Sequence, residues 1–474
     1  MGELSKIKIS PIDNVDVNVG GEFDGHKTAN RDIKEGENII KYGYPIGHAT
    51  RDIKKGEHVH TDNVKTNLSG ILEYKYEPNT KGEQKADDKA YFDGFVRDNG
   101  SVGIRNEIWI VNTVGCINKT SEALAREANK KFAGKTDGIF NFVHPFGCSQ
   151  LGDDQKTTQA ILKGLVNHPN AAGVLVLGLG CENNNIPVFK EVLGDYNPDR
   201  VKFMSTQEYD DEMEQGLKLI GELVEYAQKF KREKCDISKL VVGLKCGGSD
   251  GFSGLTANPL VGQFSDLLIA HGGSTILTEV PEMFGAETLL MNRCRDEETF
   301  NKTVDLINNF KEYFMRHNQV VYENPSPGNK KGGITTLEDK SLGCVQKSGT
   351  SDVVDVIQIG EHVKKQGLNL LTGPGNDIVA VTNLTASGCH LILFTTGRGT
   401  PVGAPVPTVK ISSNSGLAER KPHWIDFNAG PIVEGKVLAQ DLFDFVVDVA
   451  SGRQTNNEKN GYREISIFKD GVVL

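Results

Sequence analysis

Four histidines near the start of the chain could together bind a metal ion: His26, His48, His58 and His60. His26 and His48 each follow a glycine. His58 and His60 are two residues apart, so in a strand their side chains point to the same face. Neutral imidazole is a good ligand for iron, manganese and zinc. Three of the four converging would form an open metal site, and the alternative is that they are solvated histidines in surface turns.

These histidines lie within an internal repeat. Residues 25–43 read GHKTANRDIKEGENIIKYG and residues 47–63 read GHATRDIKKGEHVHTDN, so both contain GH, an RDIK-x-GE core and an apolar pair. The core predicts a short strand, a turn at Gly36 or Gly56, and another strand. We therefore predict a small β-rich domain over residues 1–73, in which equivalent positions of the two copies face one another.

The rest of the chain predicts an α/β fold. Residues 74–93 carry charge, Pro and Gly without apolar periodicity, which is typical of a linker. From Gly94 onward, apolar strands alternate with helices, and this alternation favours parallel sheets. We divide this region into a first α/β domain at 94–320 and a second at 321–474.

Polar residues gather in glycine-rich turns after the predicted strands, where open α/β sheets bind their ligands. Arginine and backbone N–H groups suit a carboxylate, and Asn, Ser, Thr and Asp suit a row of hydroxyls. Each residue alone has an ordinary role in a turn as its alternative. Together they indicate a pocket for a polyhydroxy acid, with the candidate substrate-binding residues Arg105, Asn106, Ser249, Asp250, Asn258, Thr396 and Arg398.

Such a pocket suits proton removal next to a carboxylate. That proton is weakly acidic, so its removal requires a cation to stabilise the developing charge and a positioned base. Loss of the neighbouring hydroxyl then requires an acid. We look for these groups among His144, Glu279, Glu282 and Lys340.

Charge and motifs exclude several other classes. The net charge of -10 disfavours nucleic acid and anionic membrane surfaces as partners. No apolar stretch approaches a membrane span, and the N-terminus lacks the apolar core of a signal peptide, so we expect a cytoplasmic protein. A phosphate-binding GxxxxGK[ST] loop is absent. The eight cysteines form no CxxC pairs, and we expect no disulfides.

The sequence resembles a known family over most of its length. The segments that carry the resemblance are GFVRDNGSVGIRNEIWIVNTVGC, HPFGCSQ, GLGCENN, KCGGSDGFSGLTANP, TEVPEMFGAE, GNKKGGITTLEDKSLG and FTTGRGTPVG. They are similar to the altronate and galactarate dehydratases, and the repeat resembles the SAF-type domain of that family. The resemblance implies dehydration of a sugar acid with ferrous or manganous ion, with D-altronate giving 2-dehydro-3-deoxy-D-gluconate in hexuronate breakdown. Galactarate is the alternative substrate.

The same resemblance maps metal ligands onto His26 and His60, with His48 as the third candidate.

Three alternative functions stay open. One is a hydro-lyase with an iron–sulfur cluster held by some of Cys116, Cys148, Cys181, Cys246 and Cys389. The second is a carbon–sulfur lyase acting on a sulfonated hydroxy acid, and the third is a sugar-acid binding protein without catalysis. The expected partners are a small-molecule substrate and a second copy of the chain, because enzymes of this size are commonly dimeric.

Overall fold

Two small antiparallel sheets form the N-terminal part of the chain. The computed structural model describes residues 5–82, 84–472 and 474. The strands of this part are β1 (Ser5–Ile7), β2 (Val15–Val19), β3 (Lys27–Ala29), β4 (Asn38–Lys41), β5 (Tyr44–Ala49), β6 (His58–Val59) and β7 (Val64–Lys65). One sheet has the order β1-β2-β3-β6 and the other the order β4-β5-β7. The predicted β-rich N-terminal domain is confirmed.

The internal repeat is visible as contacts between its two copies. Ile33 and Ile53 form an antiparallel bridge, with N–O distances of 2.9 and 2.8 Å. The carboxylate of Asp32 accepts a hydrogen bond from the backbone of the second copy at 2.9 Å. Asp52 accepts the equivalent bond from the first copy at 3.0 Å. At these positions, equivalent residues face one another as the repeat predicts.

A second unit contains a four-stranded parallel sheet. Its strands are β8 (Tyr91–Val96), β9 (Val102–Gly103), β10 (Glu107–Asn112), β11 (Ile139–Phe142), β12 (Ala171–Gly178), β13 (Val201–Ser205) and β14 (Arg232–Asp236). Its helices are α1 (Asn118–Lys131), α2 (Gly152–Val166), α3 (Ile186–Leu193) and α4 (Glu212–Ala227). The parallel sheet has the order β11-β10-β12-β13, and β14-β8-β9 form a small antiparallel sheet. Every residue of β12 is buried, as expected for a parallel strand covered by helices on both faces.

The third unit is built on a seven-stranded parallel sheet. Its strands are β15 (Val241–Cys246), β16 (Ser274–Leu277), β17 (Val353–Ile357), β18 (Gly367–Leu371), β19 (Leu391–Thr396), β20 (Thr408–Ser412) and β21 (Phe427–Asn428). Its helices are α5 (Ala257–Ala270), α6 (Glu287–Met291), α7 (Glu297–Arg316), α8 (Pro327–Lys331), α9 (Leu337–Cys344), α10 (Asp377–Ala386), α11 (Ser415–Arg420), α12 (Ala439–Ala450) and α13 (Asn456–Lys459). The order is β17-β18-β16-β15-β19-β20-β21. The predicted α/β class with parallel sheets is confirmed.

The large sheet joins segments that are distant in the sequence. β15 and β16 precede residue 320, and β15 pairs with β19 while β16 pairs with β18. A division between residues 320 and 321 therefore passes through one continuous sheet. Among the described residues of the predicted linker at 74–93, none lies in a helix or strand until β8 begins at Tyr91. No helix in the described part of the chain is long and apolar enough to cross a membrane.

Candidate metal centre and active site

Three of the N-terminal histidines form a cluster. His26 immediately precedes β3, His58 lies on β6, and the two strands pair with Thr28 opposite His58. His60 follows His58 by two residues and therefore lies on the same face. Ring nitrogens of the three histidines all lie within 4.8 Å of one another, and His26 Nδ1 is 3.0 Å from His58 Nε2. This arrangement places three imidazoles around one point.

The electrostatics of the cluster suit a metal ion. Burial lowers the pKa of His26 and of His58. Burial and then the charge of Lys27 lower the pKa of His60 to about 4. All three imidazoles are therefore neutral at pH 7, the form in which histidine is a ligand. The Nδ1 atom of His60 is buried and has no hydrogen-bond partner among the described residues. The donor set fits a divalent transition metal.

His48, predicted as a third metal ligand, lies outside this cluster, and His58 is the third histidine in it. His48 is on β5, in the other N-terminal sheet, and its Nδ1 is 2.7 Å from Asn67 Oδ1. His26 and His48 occupy equivalent positions of the repeat. However, β3, which follows His26, and β5, which contains His48, belong to different sheets. The repeat therefore does not bring these two side chains together, whereas the pairing of β3 with β6 adds His58.

Turns of the third unit form one wall of the histidine cluster. His26 Nε2 is 3.3 Å from the carbonyl oxygen of Lys331, at the end of α8. A Cβ atom placed on Gly251 would lie 1.8 Å from the carbonyl oxygen of Gly25, so only glycine permits this approach. The backbone N–H of Gly251 also donates to the carbonyl of Gly332 at 2.7 Å. The turn after β15 and the end of α8 therefore lie against His26.

A buried ion triad attaches the N-terminal unit to α9. Lys27, the residue after His26, lies 2.7 Å from one carboxylate oxygen of Asp339, and Lys41 lies 2.9 Å from the other. All three side chains are almost completely buried. Burial raises the pKa of Asp339, but the charges of the two lysines outweigh it and hold that pKa far below its usual range. The triad fixes the position of the histidine cluster relative to the third unit.

Several predicted substrate-binding residues lie in the turns next to this wall. Ser249 has a buried hydroxyl without a partner among the described residues. The buried carboxylate of Asp250 accepts hydrogen bonds from Ser253, Ser413 and Asn414. Arg398 is exposed, and its Nε would be 3.7 Å from a Cβ placed on Gly328 in α8. Ser249 therefore keeps an unpaired hydroxyl and Arg398 an exposed guanidinium, while Asp250 organises the turn.

The other predicted binding residues hold the fold together. Asn258 accepts from Thr395 and donates to the Gly343 carbonyl, and the Thr396 hydroxyl accepts from Gly399. Arg105 binds the carboxylate of Glu458 and three backbone carbonyls. Asn106 bonds to Arg97 and to the carbonyl of Ala227. These contacts engage the polar side-chain groups of Asn258, Arg105 and Asn106 within the fold.

Of the four candidates for the acid and base, three come together in the third unit. Lys340 Nζ lies 2.7 Å from Glu282 Oε1, and Glu279 forms an ion pair with Lys245. Burial lowers the pKa of Lys340 and raises that of Glu282, but their mutual attraction outweighs burial and keeps both charged. His144 lies elsewhere, with Nε2 2.8 Å from the Asn112 carbonyl and Nδ1 accepting from a backbone N–H.

Two further lysines, which no sequence pattern had indicated, belong to this group. Lys245 lies within β15, one residue before its end, and pairs with Glu279 and Asp377. Lys347 lies 3.4 Å from Glu279. A lysine inside the apolar run VVGLKC is the signal that could have identified Lys245. The thiols of Cys246 and Cys344 lie 3.1 and 3.2 Å from Glu282 Oε2.

Protein-family models match the chain in three consecutive parts. They are described as the altronate/galactarate dehydratase SAF domain at 22–67, the D-galactarate dehydratase/altronate hydrolase second domain at 94–228, and the D-galactarate/altronate dehydratase C-terminal domain at 237–473. The altronate dehydratase of Bacillus subtilis (strain 168) is 55% identical over 460 residues, covering 95% of this chain and 92% of that protein. The chain belongs to the altronate and galactarate dehydratase family.

More distant relatives of this chain are named for other substrates. The galactarate dehydratase (L-threo-forming) of Escherichia coli (strain K12) is 33% identical and covers 95% of this chain and 90% of that protein. The (2R)-sulfolactate sulfo-lyase subunit beta of Chromohalobacter salexigens is 30% identical and covers 80% of this chain. The SAF model spans all three clustered histidines, and the C-terminal model begins ahead of β15 and spans the whole seven-stranded sheet.

Proposed function

We propose that this protein dehydrates D-altronate to 2-dehydro-3-deoxy-D-gluconate and water, and that His26, His58 and His60 hold a ferrous or manganous ion for the reaction. The observation that carries the substrate is the 55% identity, over 95% of the chain, to a protein named altronate dehydratase. The relative named for galactarate is only 33% identical, so D-galactarate is the second candidate. The cluster of neutral imidazoles supports the metal.

The reaction removes the proton on C2 of the sugar acid and the hydroxyl on C3, and the resulting enol becomes the 2-keto acid. When bound, the divalent cation supplies a Lewis acid that stabilises negative charge on the substrate's oxygens. Arg398, an exposed guanidinium beside the turn after β15, is our candidate for binding the carboxylate. The unpartnered hydroxyl of Ser249 is our candidate for a hydrogen bond to a substrate hydroxyl.

For proton transfer we propose the group formed by Glu279, Glu282 and Lys340. Lys340 is held protonated by Glu282, so it can donate a proton to the departing hydroxyl. Glu282, which pairs with Lys340, and Glu279, which pairs with Lys245, are our candidates for the base. We do not propose His144 for this role, because both of its ring nitrogens are engaged by backbone groups.

The first experiment is turnover of the metal-stripped protein with added Fe(II), Mn(II), Mg(II) or no metal. The substrates are D-altronate, D-galactarate and D-glucarate, and the product measured is the 2-keto acid. We expect activity on D-altronate that returns with Fe(II) or Mn(II) and is lost in His26→Ala and His60→Ala. His48→Ala is the matched control and should keep its activity.

Three outcomes would count against the proposal. If no 2-keto acid forms from any of these acids with any metal, the proposal that the protein is a sugar-acid dehydratase is wrong. If (2R)-sulfolactate instead yields sulfite, the chain is a carbon–sulfur lyase, as the name of its 30% identical relative says of that protein. Full activity of the His26→Ala variant would be consistent with the proposed reaction but would contradict the proposed metal site.

A further inference from the structure

The eight cysteines of the chain divide sharply by exposure. All eight are described and free, with five buried and three exposed. Free cysteine is among the most buried residue types, so an exposed cysteine is unusual. The three exposed ones are Cys116, Cys148 and Cys181, and all three belong to the second unit. None of them takes part in the proposed dehydration site.

These three cysteines occupy equivalent positions at one edge of the four-stranded sheet. Cys116 follows β10, Cys148 follows β11 and Cys181 follows β12, and these are neighbouring parallel strands. The loops that carry them therefore leave the same carboxyl edge, where α/β sheets bind ligands. Each cysteine also precedes the N-terminus of a helix, α1, α2 or α3, where the helix dipole favours negative charge.

Hydrogen bonds tie the three loops to one another. The N–H of Gly115 donates to the Phe146 carbonyl at 2.8 Å, which joins the first loop to the second. The N–H of Asn184 donates to the Gly147 carbonyl at 3.0 Å, which joins the second to the third. Glu182 is buried and accepts from the hydroxyl of Thr113 at 2.6 Å, which joins the third to the first. The cysteines are thus carried by a mutually braced set of loops.

A buried donor beside one cysteine is unpaired. Gln150, two residues after Cys148, is only 2% exposed. Its Oε1 accepts from the N–H of Gly147 and from the hydroxyl of Thr158, but its Nε2 has no hydrogen-bond partner among the described residues. Buried donors are normally satisfied, so an orphan at this position points to an acceptor that is bound there.

We infer that Cys116, Cys148 and Cys181 bind an iron–sulfur cluster of the cubane type. The sulfur atoms of these three cysteines do not all lie within 4.8 Å of one another, whereas the nitrogens of the three clustered histidines do. Thiolates of a cluster bind different iron atoms and so stand further apart than ligands of a single ion. Three protein thiolates leave one iron of a [4Fe–4S] cluster open to a carboxylate or hydroxyl oxygen of a small molecule.

The test is anaerobic reconstitution of the full-length protein with ferrous iron and sulfide. We expect about four iron and four acid-labile sulfide per chain, with the broad visible absorption of a cluster. Cys116→Ser, Cys148→Ser and Cys181→Ser should each lose most of the labile sulfide. Cys294→Ser is the control, since this buried thiol bonds to Thr303 and the Leu290 carbonyl and a hydroxyl can keep both bonds.

Thiol reactivity gives an independent measurement. In the protein without iron, three thiols per chain should react rapidly with a water-soluble disulfide reagent, and reconstitution should protect all three. Absence of labile sulfide in the reconstituted protein would overturn the inference, as would a cluster that survives in the triple serine variant. One bound iron without sulfide would also overturn it. The readout is binding, so it is separate from failure of the dehydration, and His26→Ala should keep the cluster.

Discussion

The carboxylate of Asp339 lies 2.7 Å from the Nζ of Lys27, and this contact is buried between two units of the chain. Lys41 approaches the other oxygen of Asp339. Removing one member of a buried charge group leaves its partners uncompensated, which costs about 3–5 kcal/mol. We therefore expect Asp339→Asn to lower the free energy of unfolding by about that amount, measured by urea denaturation.

The matched control for this variant is Asp32→Asn. Asp32 also pairs with a lysine, Lys54, but both side chains of that pair are more than half exposed. Exposed ion pairs contribute little to stability, so the urea midpoint should hardly change. Equal effects of the two substitutions would show that the buried triad does not fasten the N-terminal unit.

The same carboxylate should make stability depend on pH in the acid range. The two lysines hold the pKa of Asp339 far below the value of about 3.9 that it has in the unfolded chain. Its contribution is therefore present in full above about pH 4 and is lost as the pH falls below that value. The free energy of unfolding between about pH 4 and 2 should fall more steeply in the unaltered protein than in Asp339→Asn. Parallel pH curves would contradict this assignment.

Metal affinity should distinguish His58 from His48. His58 shares the cluster with His26 and His60, whereas His48 bonds to Asn67 in the other sheet. Loss of a residue that only hydrogen-bonds to a metal ligand lowers metal affinity by about 10–100-fold. Loss of a ligand itself should therefore lower the affinity by at least that factor. Calorimetric titration with Mn(II) should therefore show weaker binding for His58→Ala and unchanged binding for His48→Ala. The reverse result would restore His48 as the third ligand.

Substrate affinity should depend on Arg398. A charge-assisted hydrogen bond to a carboxylate contributes about 1.5–3 kcal/mol, so Arg398→Ala should raise KM by about 10–100-fold. Arg398→Lys should recover only part of this, because lysine cannot form the planar bidentate contact. Arg420→Ala, at the end of α11, removes an exposed arginine elsewhere and serves as the control. An unchanged KM for Arg398→Ala would exclude it from the binding site.

Patterns that are local in the sequence predicted most of the fold. The repeat and the alternation of strands with helices depend on neighbouring residues, and both are present in the structure. The strand order of the large sheet is not local, because β16 pairs with β18 across about 90 residues of intervening chain. For that reason a division at residue 320 looks reasonable in the sequence and passes through a sheet in the structure.

The site was predictable in part for the same reason. His58 and His60 share a face by strand periodicity alone, and His26 was a candidate through its place in the repeat. The choice between His48 and His58 depended on which strands pair, and periodicity does not determine pairing. Lys245 was missed because the apolar strand around it indicated only burial, while its partners Glu279 and Asp377 are far along the chain.

The stretch between the N-terminal unit and β8, of which most described residues are exposed, is more than a connection. The clustered histidines belong to one unit, while Ser249, Arg398 and Lys340 belong to another, so the site that we propose needs both units. A tether of this kind gives the two halves a high effective concentration and makes their encounter intramolecular. If a protease cut within residues 76–82, only noncovalent contacts such as the Lys27–Asp339 pair would hold the two pieces together on dilution. Activity would then depend on protein concentration, as it does for an enzyme of two subunits.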